Sequence, residues 1–60
     1  MEKGNRVKIL NHDFLSDGFI KDIFMPHHYL IKLDEKAPNE YAYETDEVLI
    51  TPEFLKVIGG

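Results

Sequence analysis

The sequence predicts a small all-β protein. The apolar stretches are short, several alternate with polar residues as strands do, and turn-forming residues separate them. The chain of 60 residues is long enough for one domain, and its hydrophobic fraction of 43% is too high for a disordered segment. We therefore expect a single ordered domain over residues 1–60.

The first predicted strand is followed by a loop. Residues 6–9 alternate basic and apolar side chains, which is typical of a half-buried strand. Residues 11–18 are polar and end in Asp17-Gly18, a dipeptide that favours a turn. We expect this loop to connect the first strand to the second.

The second apolar segment, residues 19–25, is compatible with two structures. Phe19, Ile20, Ile23 and Phe24 have helix-like spacing, but a glycine just before the segment and Pro26 just after it oppose a helix. The segment is also rich in β-favouring residues. A strand with a bulge is therefore favoured, and the bulge would turn Ile20 and Ile23 to the same side.

Residues 29–33 form the third predicted strand, with Tyr29, Ile31 and Leu33 on one face. Residues 34–39 contain Ala-Pro-Asn and are predicted to turn. Residues 41–43 are predicted as a short strand. Residues 47–50 form another strand or continue the short one past a bulge at Thr45-Asp46.

The end of the chain predicts one helical turn and a last strand. Thr51 is a candidate N-cap, and Pro52 suits the first helical position. The segment up to Leu55 is too short for a full α-helix, so a single 3₁₀ turn is expected. Residues 56–58 then close the chain as a short strand.

These elements together suggest a small closed barrel, which removes exposed sheet edges. The chain resembles the Src-homology-3-like (SH3-like) barrel families. That resemblance implies a five-stranded barrel with one short 3₁₀ turn before the last strand. It extends over nearly the whole chain, and these residues carry it: Gly4, Val7, Ile9, Asp17, Gly18, Ile20, Ile23, Tyr29, Ile31, Leu33, Asp34, Val48, Ile50, Pro52, Leu55 and Ile58.

The charge balance argues against nucleic acid and membrane as partners. Seven Lys and Arg against eleven Asp and Glu give a net charge of −4, and the basic residues form no continuous run. No apolar run is long enough to span a bilayer. The chain has no Cys, and the start at Met1 lacks the apolar core of a secretory signal, so we expect a cytoplasmic protein.

No constellation of residues predicts catalysis, a metal or a cofactor. His27 and His28 are adjacent and would point to opposite faces of a strand, which does not suit a zinc site. Carboxylate pairs such as Asp34/Glu35 are expected to be surface charge, because a barrel this small has little room for the cleft that acid–base catalysis needs. We expect a protein that is not an enzyme, with no cofactor and no metal.

The candidate binding residues are aromatic and acidic. On a shared strand Tyr41 and Tyr43 would lie on one face, and an exposed tyrosine is an effective interface anchor. With the neighbouring acids they would form an acidic-aromatic strip that suits a basic partner. The loop over residues 11–17 would assist, and Tyr29 is a further aromatic candidate. The predicted binding residues are Tyr41, Tyr43, Glu44, Phe14, Asp13, Asp17 and Tyr29.

We therefore expect a non-catalytic protein-binding module or small regulator. Two alternatives remain open. One is a small barrel that binds RNA or DNA. The other follows from Asp46-Glu47-Val48 and the terminal Gly59-Gly60, which loosely resemble the end of ubiquitin-like sulfur carriers. That resemblance implies a tail that is activated at its carboxylate, in a fold that also requires an opening hairpin and a full central helix.

Overall fold

The computed structural model describes residues 1–24, 27–37 and 46–59, and over these ranges the protein is all-β. The predicted fold class is therefore confirmed. The strand predicted at residues 41–43, and the bulge proposed at Thr45, lie outside the described residues. The described elements are β1 (Arg6–Ile9), β2 (Gly18–Phe24), β3 (His28–Leu33), β4 (Glu47–Ile50), a 3₁₀ turn (Pro52–Phe54) and β5 (Leu55–Val57).

The five strands form one antiparallel sheet in the order β4-β3-β2-β1-β5. The chain crosses from β4 at one edge to β5 at the other through Thr51 and the 3₁₀ turn alone. That connection spans at most about 17 Å, whereas four strand spacings in a flat sheet would need about 19 Å. The sheet is therefore curled.

Over the residues that the structure describes, the sheet does not close into the predicted barrel. Closure needs hydrogen bonds between the two edge strands, and within the described ranges β4 pairs only with β3 and β5 only with β1. The last strand, Leu55–Val57, has only three residues, so it offers a short edge for such pairing. The all-β fold class was predicted correctly, and the closed form was wrong.

The bulge predicted in the second strand is present. Ile20 lies opposite Ile31, and Asp22 lies opposite Leu30, so Lys21 is the additional residue of β2 between them. As a result Ile20 is fully buried, and Ile23 also turns inward and packs against the core. The bulge explains why an apolar spacing that resembles a helix is found in a strand.

The core lies on the inner face of the curled sheet. The alternation of buried and exposed residues in β1, β2 and β3 gives each strand one inward face, as a half-buried strand requires. The core consists of Val7, Ile9, Leu15, Ile20, Ile31, Leu33, Ala37, Ile50 and Leu55, with Ile23, Tyr29 and Val48 packed against it.

Gly18 begins β2 and allows β2 and β3 to approach each other closely. It lies opposite Val7 on β1 and opposite Leu33 on β3. A Cβ at this position would lie 2.2 Å from the backbone oxygen of Lys32, which no side chain movement could relieve. Glycine is therefore required here by space.

The 3₁₀ turn begins as predicted, with Pro52 in the first position. Thr51 has the extended backbone of an N-cap (φ −79°, ψ 151°), but its side chain makes no capping hydrogen bond, so only its predicted position was correct. The turn is closed by backbone hydrogen bonds from Phe54 N–H to Thr51 O and from Leu55 N–H to Pro52 O. Leu10 N–H donates to Phe54 O at 2.7 Å and joins the turn to the end of β1.

Candidate functional site

The connection between β1 and β2, residues 10–17, is the candidate site and is called the β1–β2 loop below. Leu15 is buried in the core and fixes the middle of the loop. Its backbone N–H donates to His12 O at 3.1 Å, which closes a turn around Asp13 and Phe14. The two residues between these anchors are consequently held outward.

The end of the β1–β2 loop is attached to the segment that follows β3. Asp34 N–H donates to Asp17 O at 2.9 Å, and Glu35 N–H donates to the Ser16 hydroxyl at 3.0 Å. The same hydroxyl donates to Asp17 O at 3.0 Å. These bonds fix the end of the loop against the segment that follows β3.

The β1–β2 loop exposes two large apolar side chains, Leu10 and Phe14. Phe14 is 42% exposed, and its ring lies beside the ring of His12, with centroids 5.3 Å apart and planes inclined by 48°. Asp13, next to it in the turn, is exposed. An aromatic ring held in position at the surface beside a carboxylate is typical of an interface anchor.

A shallow pocket of about 420 Å³ lies between the end of β1 and the β1–β2 loop. Ile9 and Leu15 contribute its apolar lining. Its polar lining comes from Lys8, His12, Asp13, Ser16 and Asp17. The pocket is therefore a mixed surface that can accept both an apolar group and a charged one.

Among the described residues, four ion pairs join cations to carboxylates at the surface of the sheet. The strongest geometry is the bidentate pair in which both guanidinium nitrogens of Arg6 donate to Asp34, at 2.7 and 2.6 Å. The others are Lys21 with Glu47 at 2.7 Å, Lys3 with Asp22 at 3.2 Å, and Lys32 with Asp46.

These contacts lower the pKa of three aspartates below the ordinary value of 3.8. The side-chain hydrogen bond from Arg6 lowers the pKa of Asp34, and that from Lys32 lowers the pKa of Asp46. The pKa of Asp22 is lowered first by the backbone N–H of Ile23, which donates to it at 2.8 Å, and then by Lys3. All three shifts stabilise the ionised carboxylate, whereas a general acid requires a raised pKa.

The structure brings some of the predicted binding residues together. Asp13, Phe14 and Asp17 share the β1–β2 loop, where Asp17 is half-buried. Tyr29 is separate from them, because it lies on the inner face of β3, is half-buried and packs against the core. The other three predicted residues lie outside the described residues: Tyr41, Tyr43 and Glu44.

Sequence reasoning missed the polar residues that complete the pocket, namely Lys8, His12 and Ser16. The alternation in β1 predicts that Lys8 faces outward, but its position beside the loop depends on how the loop folds back. Ser16 links two loops through Glu35, which is 19 residues away, so no local pattern indicates this role.

Over residues 1–24, 27–37 and 46–59, no group of three or more His, Cys, Asp or Glu could hold a metal ion. In the same ranges no helix has the length and apolar character needed to span a bilayer. Comparison of the chain with models of protein families, with curated proteins and with solved structures finds no match.

Proposed function

We propose that this protein is a non-catalytic binding module that uses the β1–β2 loop to hold a basic segment of a partner protein. One observation carries the proposal: Phe14 is exposed in a turn of the loop, and Asp13 and Asp17 of the same loop line the pocket. The aromatic ring would bury apolar area, and the carboxylates would attract Lys or Arg side chains of the partner.

The way the loop is held supports binding by a prearranged surface. Leu15 anchors the loop in the core, and Ser16 and Asp17 bond to the segment after β3. A partner would therefore lose little free energy in ordering the loop, and this increases the affinity available from a small contact area.

We also propose that the fold is an open form of the SH3-like barrel. The antiparallel order with β5 beside β1, and the 3₁₀ turn just before β5, support this relationship. Tyr41, Tyr43 and Glu44 remain proposed members of the binding surface on sequence grounds. The absence of cysteine supports a cytoplasmic location as part of the same proposal.

Selection of peptides from a random displayed library tests the proposed function. The immobilised protein should enrich peptides that contain Lys or Arg together with an apolar residue. A selected peptide titrated into ¹⁵N-labelled protein should shift the amide signals of residues 10–17. Peptides without basic enrichment, or shifts confined to other parts of the sheet, would overturn the proposal.

Matched variants show whether peptide binding depends on the loop or on any exposed aromatic residue. Phe14→Ala should weaken binding of the selected peptide by about tenfold, since truncation of an interface anchor costs more than about 1 kcal/mol. Phe24→Ala is the control, because Phe24 is similarly exposed but lies at the far end of β2. The double variant Tyr41→Ala/Tyr43→Ala then shows whether the two tyrosines belong to the same surface.

A further inference from the structure

The open side of β5 presents backbone groups that can pair with another strand. Ile58 N–H donates to Arg6 O at 2.9 Å, and Leu10 N–H donates to Phe54 O at 2.7 Å. Alternate residues of an antiparallel strand direct their backbone groups to alternate sides. Lys56 therefore faces β1, whereas Val57 directs its N–H and C=O away from β1, toward the open side of the described sheet.

Two lysines lie directly opposite each other at this edge. Lys8 of β1 is aligned with Lys56 of β5, and both are exposed. Like charges in opposed positions of a sheet are destabilising. Four other cations of the described chain are paired with carboxylates, but these two have no carboxylate within 4 Å in the ranges that the structure covers. An acidic group beside Lys56 would remove this repulsion.

Val57 adds an apolar feature to the same edge. It is aligned with Val7, which is fully buried, yet Val57 itself is 47% exposed. The difference arises because β5 is the last strand of the described sheet, so the inner side of Val57 is covered from one direction only. A neighbouring strand with an apolar residue opposite Val57 would cover it from the other direction.

We propose that β5 is a docking edge for an extended acidic segment of a partner protein, which adds a sixth strand to the sheet. The main chain of the segment pairs with Val57. One of its apolar side chains covers Val57 on the inner side, and an adjacent carboxylate lies beside Lys56 and Lys8 on the outer side. Backbone pairing supplies affinity in this mode, and the alternating side chains supply specificity.

This edge adjoins the β1–β2 loop, because Lys8 also lines the pocket of the loop, but its partner has the opposite charge. A loop with Asp13 and Asp17 attracts basic segments, whereas the two opposed lysines attract acidic ones. Lys56 and Val57 lie outside the pocket lining, so substitutions of these two residues test the edge separately from the loop.

Titration with synthetic peptides tests the docking edge. The probe is an acetylated ten-residue peptide of alternating valine and glutamate, and the charge-reversed control alternates valine and lysine. The acidic peptide should shift the amide signals of residues 55–59 in ¹⁵N-labelled protein and protect Val57 N–H from hydrogen exchange. Its affinity should fall as salt concentration rises. Equal binding of both peptides, or shifts that leave β5 unaffected, would overturn the proposal.

Substitutions at the edge provide the second arm. Lys56→Gln should weaken binding of the acidic peptide about threefold, as for one exposed ion pair, and the double variant with Lys8→Gln about tenfold. Lys3→Gln, which changes a lysine away from this edge, should leave binding unchanged. Equal weakening by Lys3→Gln would contradict the proposal.

Val57→Pro removes the outward N–H while the bonds between β1 and β5 remain. This variant should abolish binding without loss of the β1–β5 amide signals. Peptide binding that survives Val57→Pro in the folded protein would overturn the strand pairing. Self-association of the protein through this edge, detected by sedimentation in the absence of peptide, would overturn the assignment of a separate partner.

Discussion

The sheet has two halves, one formed by β2, β3 and β4 and the other by β1 and β5, and they differ in how extensively their strands and charged side chains are paired. On one side β2 and β3 align over six residue pairs and β3 and β4 over four, and Lys21 and Lys32 each have a carboxylate partner. On the other side β1 and β5 align over three pairs, and two of the aligned residues are lysines that face each other. The first side holds the fold together, whereas the second keeps charge and backbone groups available.

Gly18 is aligned with Val7 of β1 and with Leu33 of β3, so it lies where the two halves of the sheet meet. Its substitution should have the largest effect on the free energy of unfolding. Gly18→Ala places a Cβ 2.2 Å from the Lys32 backbone oxygen, so β2 and β3 must separate. We expect the loss to match the whole stability of so small a domain, which is a few kcal/mol. Circular dichroism and urea denaturation would measure it.

Gly4→Ala is the control for this substitution. Gly4 has a positive φ of 90° but no atom within 4 Å of an added Cβ, so the cost should be the backbone strain alone, about 1 kcal/mol. If the two alanine variants were equally stable, the close approach at Gly18 would not limit the fold.

Truncation of core side chains should have the next largest effect, and the loss of stability should differ between the two halves of the sheet. Ile31→Ala should cost about 4 kcal/mol, because Ile31 is fully buried and its strand, β3, is paired with a strand on each side. Leu55→Ala should cost about 2 kcal/mol, since Leu55 lies on a three-residue edge strand that can relax toward the cavity. Urea denaturation would compare them, and a larger cost at Leu55 would reverse the proposed difference.

Acidification should lower the free energy of unfolding, because it protonates the aspartates that form ion pairs. The pKa values of Asp22, Asp34 and Asp46 are lower in the folded protein than the ordinary 3.8. A lowered folded pKa stabilises the fold above the unfolded value, and this contribution is lost as pH falls through the folded pKa. The urea midpoint should therefore decrease as pH falls below about 4.

Asp34→Asn tests the bidentate pair within that titration. The variant lacks the carboxylate that Arg6 binds, so its urea midpoint should be lower than that of the wild type at pH 7. The midpoints of the two proteins should converge as pH falls through the lowered pKa of Asp34, because the wild-type carboxylate then becomes protonated. A constant difference between them across this range would show that the pair does not contribute to the acid transition.

The smallest expected effect comes from charge reversal of one lysine in each half of the sheet. The resulting changes in stability should have opposite signs. Lys56→Glu turns the opposed lysines into an attractive pair and should raise the free energy of unfolding by about 0.5 kcal/mol. Lys21→Glu makes the same charge change beside Glu47 and should lower the urea midpoint. Destabilisation by both variants would mean that the opposed lysines do not repel each other appreciably.

Most of the strands could be predicted because their signals are local. The alternation in β1, the apolar face of β3 and the position of Pro52 each depend on a few neighbouring residues. Even the bulge in β2 could be inferred, since Gly18 and Pro26 oppose the helix that the spacing otherwise suggests. Local patterns therefore determine most of the fold class.

The sheet edges and the site could be predicted only in part, because they depend on distant residues. That Lys8 is aligned with Lys56 follows from a register between segments 48 residues apart, which no local pattern contains. Closure was inferred from the series of short strands and from the removal of exposed sheet edges, but whether two edge strands bond depends on the length and curvature of the whole sheet. Phe14 was recognised as a candidate, whereas its fixation through Ser16 and Glu35 was not.

The bulge at Lys21 has a consequence for the length of the chain. A shortened protein without Lys21 would place Asp22 directly after Ile20 in a regular hairpin, and Ile23 and Phe24 would keep their inward and outward directions. Removal of Ile23 would instead turn Phe24 toward the interior. The second strand therefore contains one residue more than its pairing requires, and natural relatives that lack it could retain the same interior.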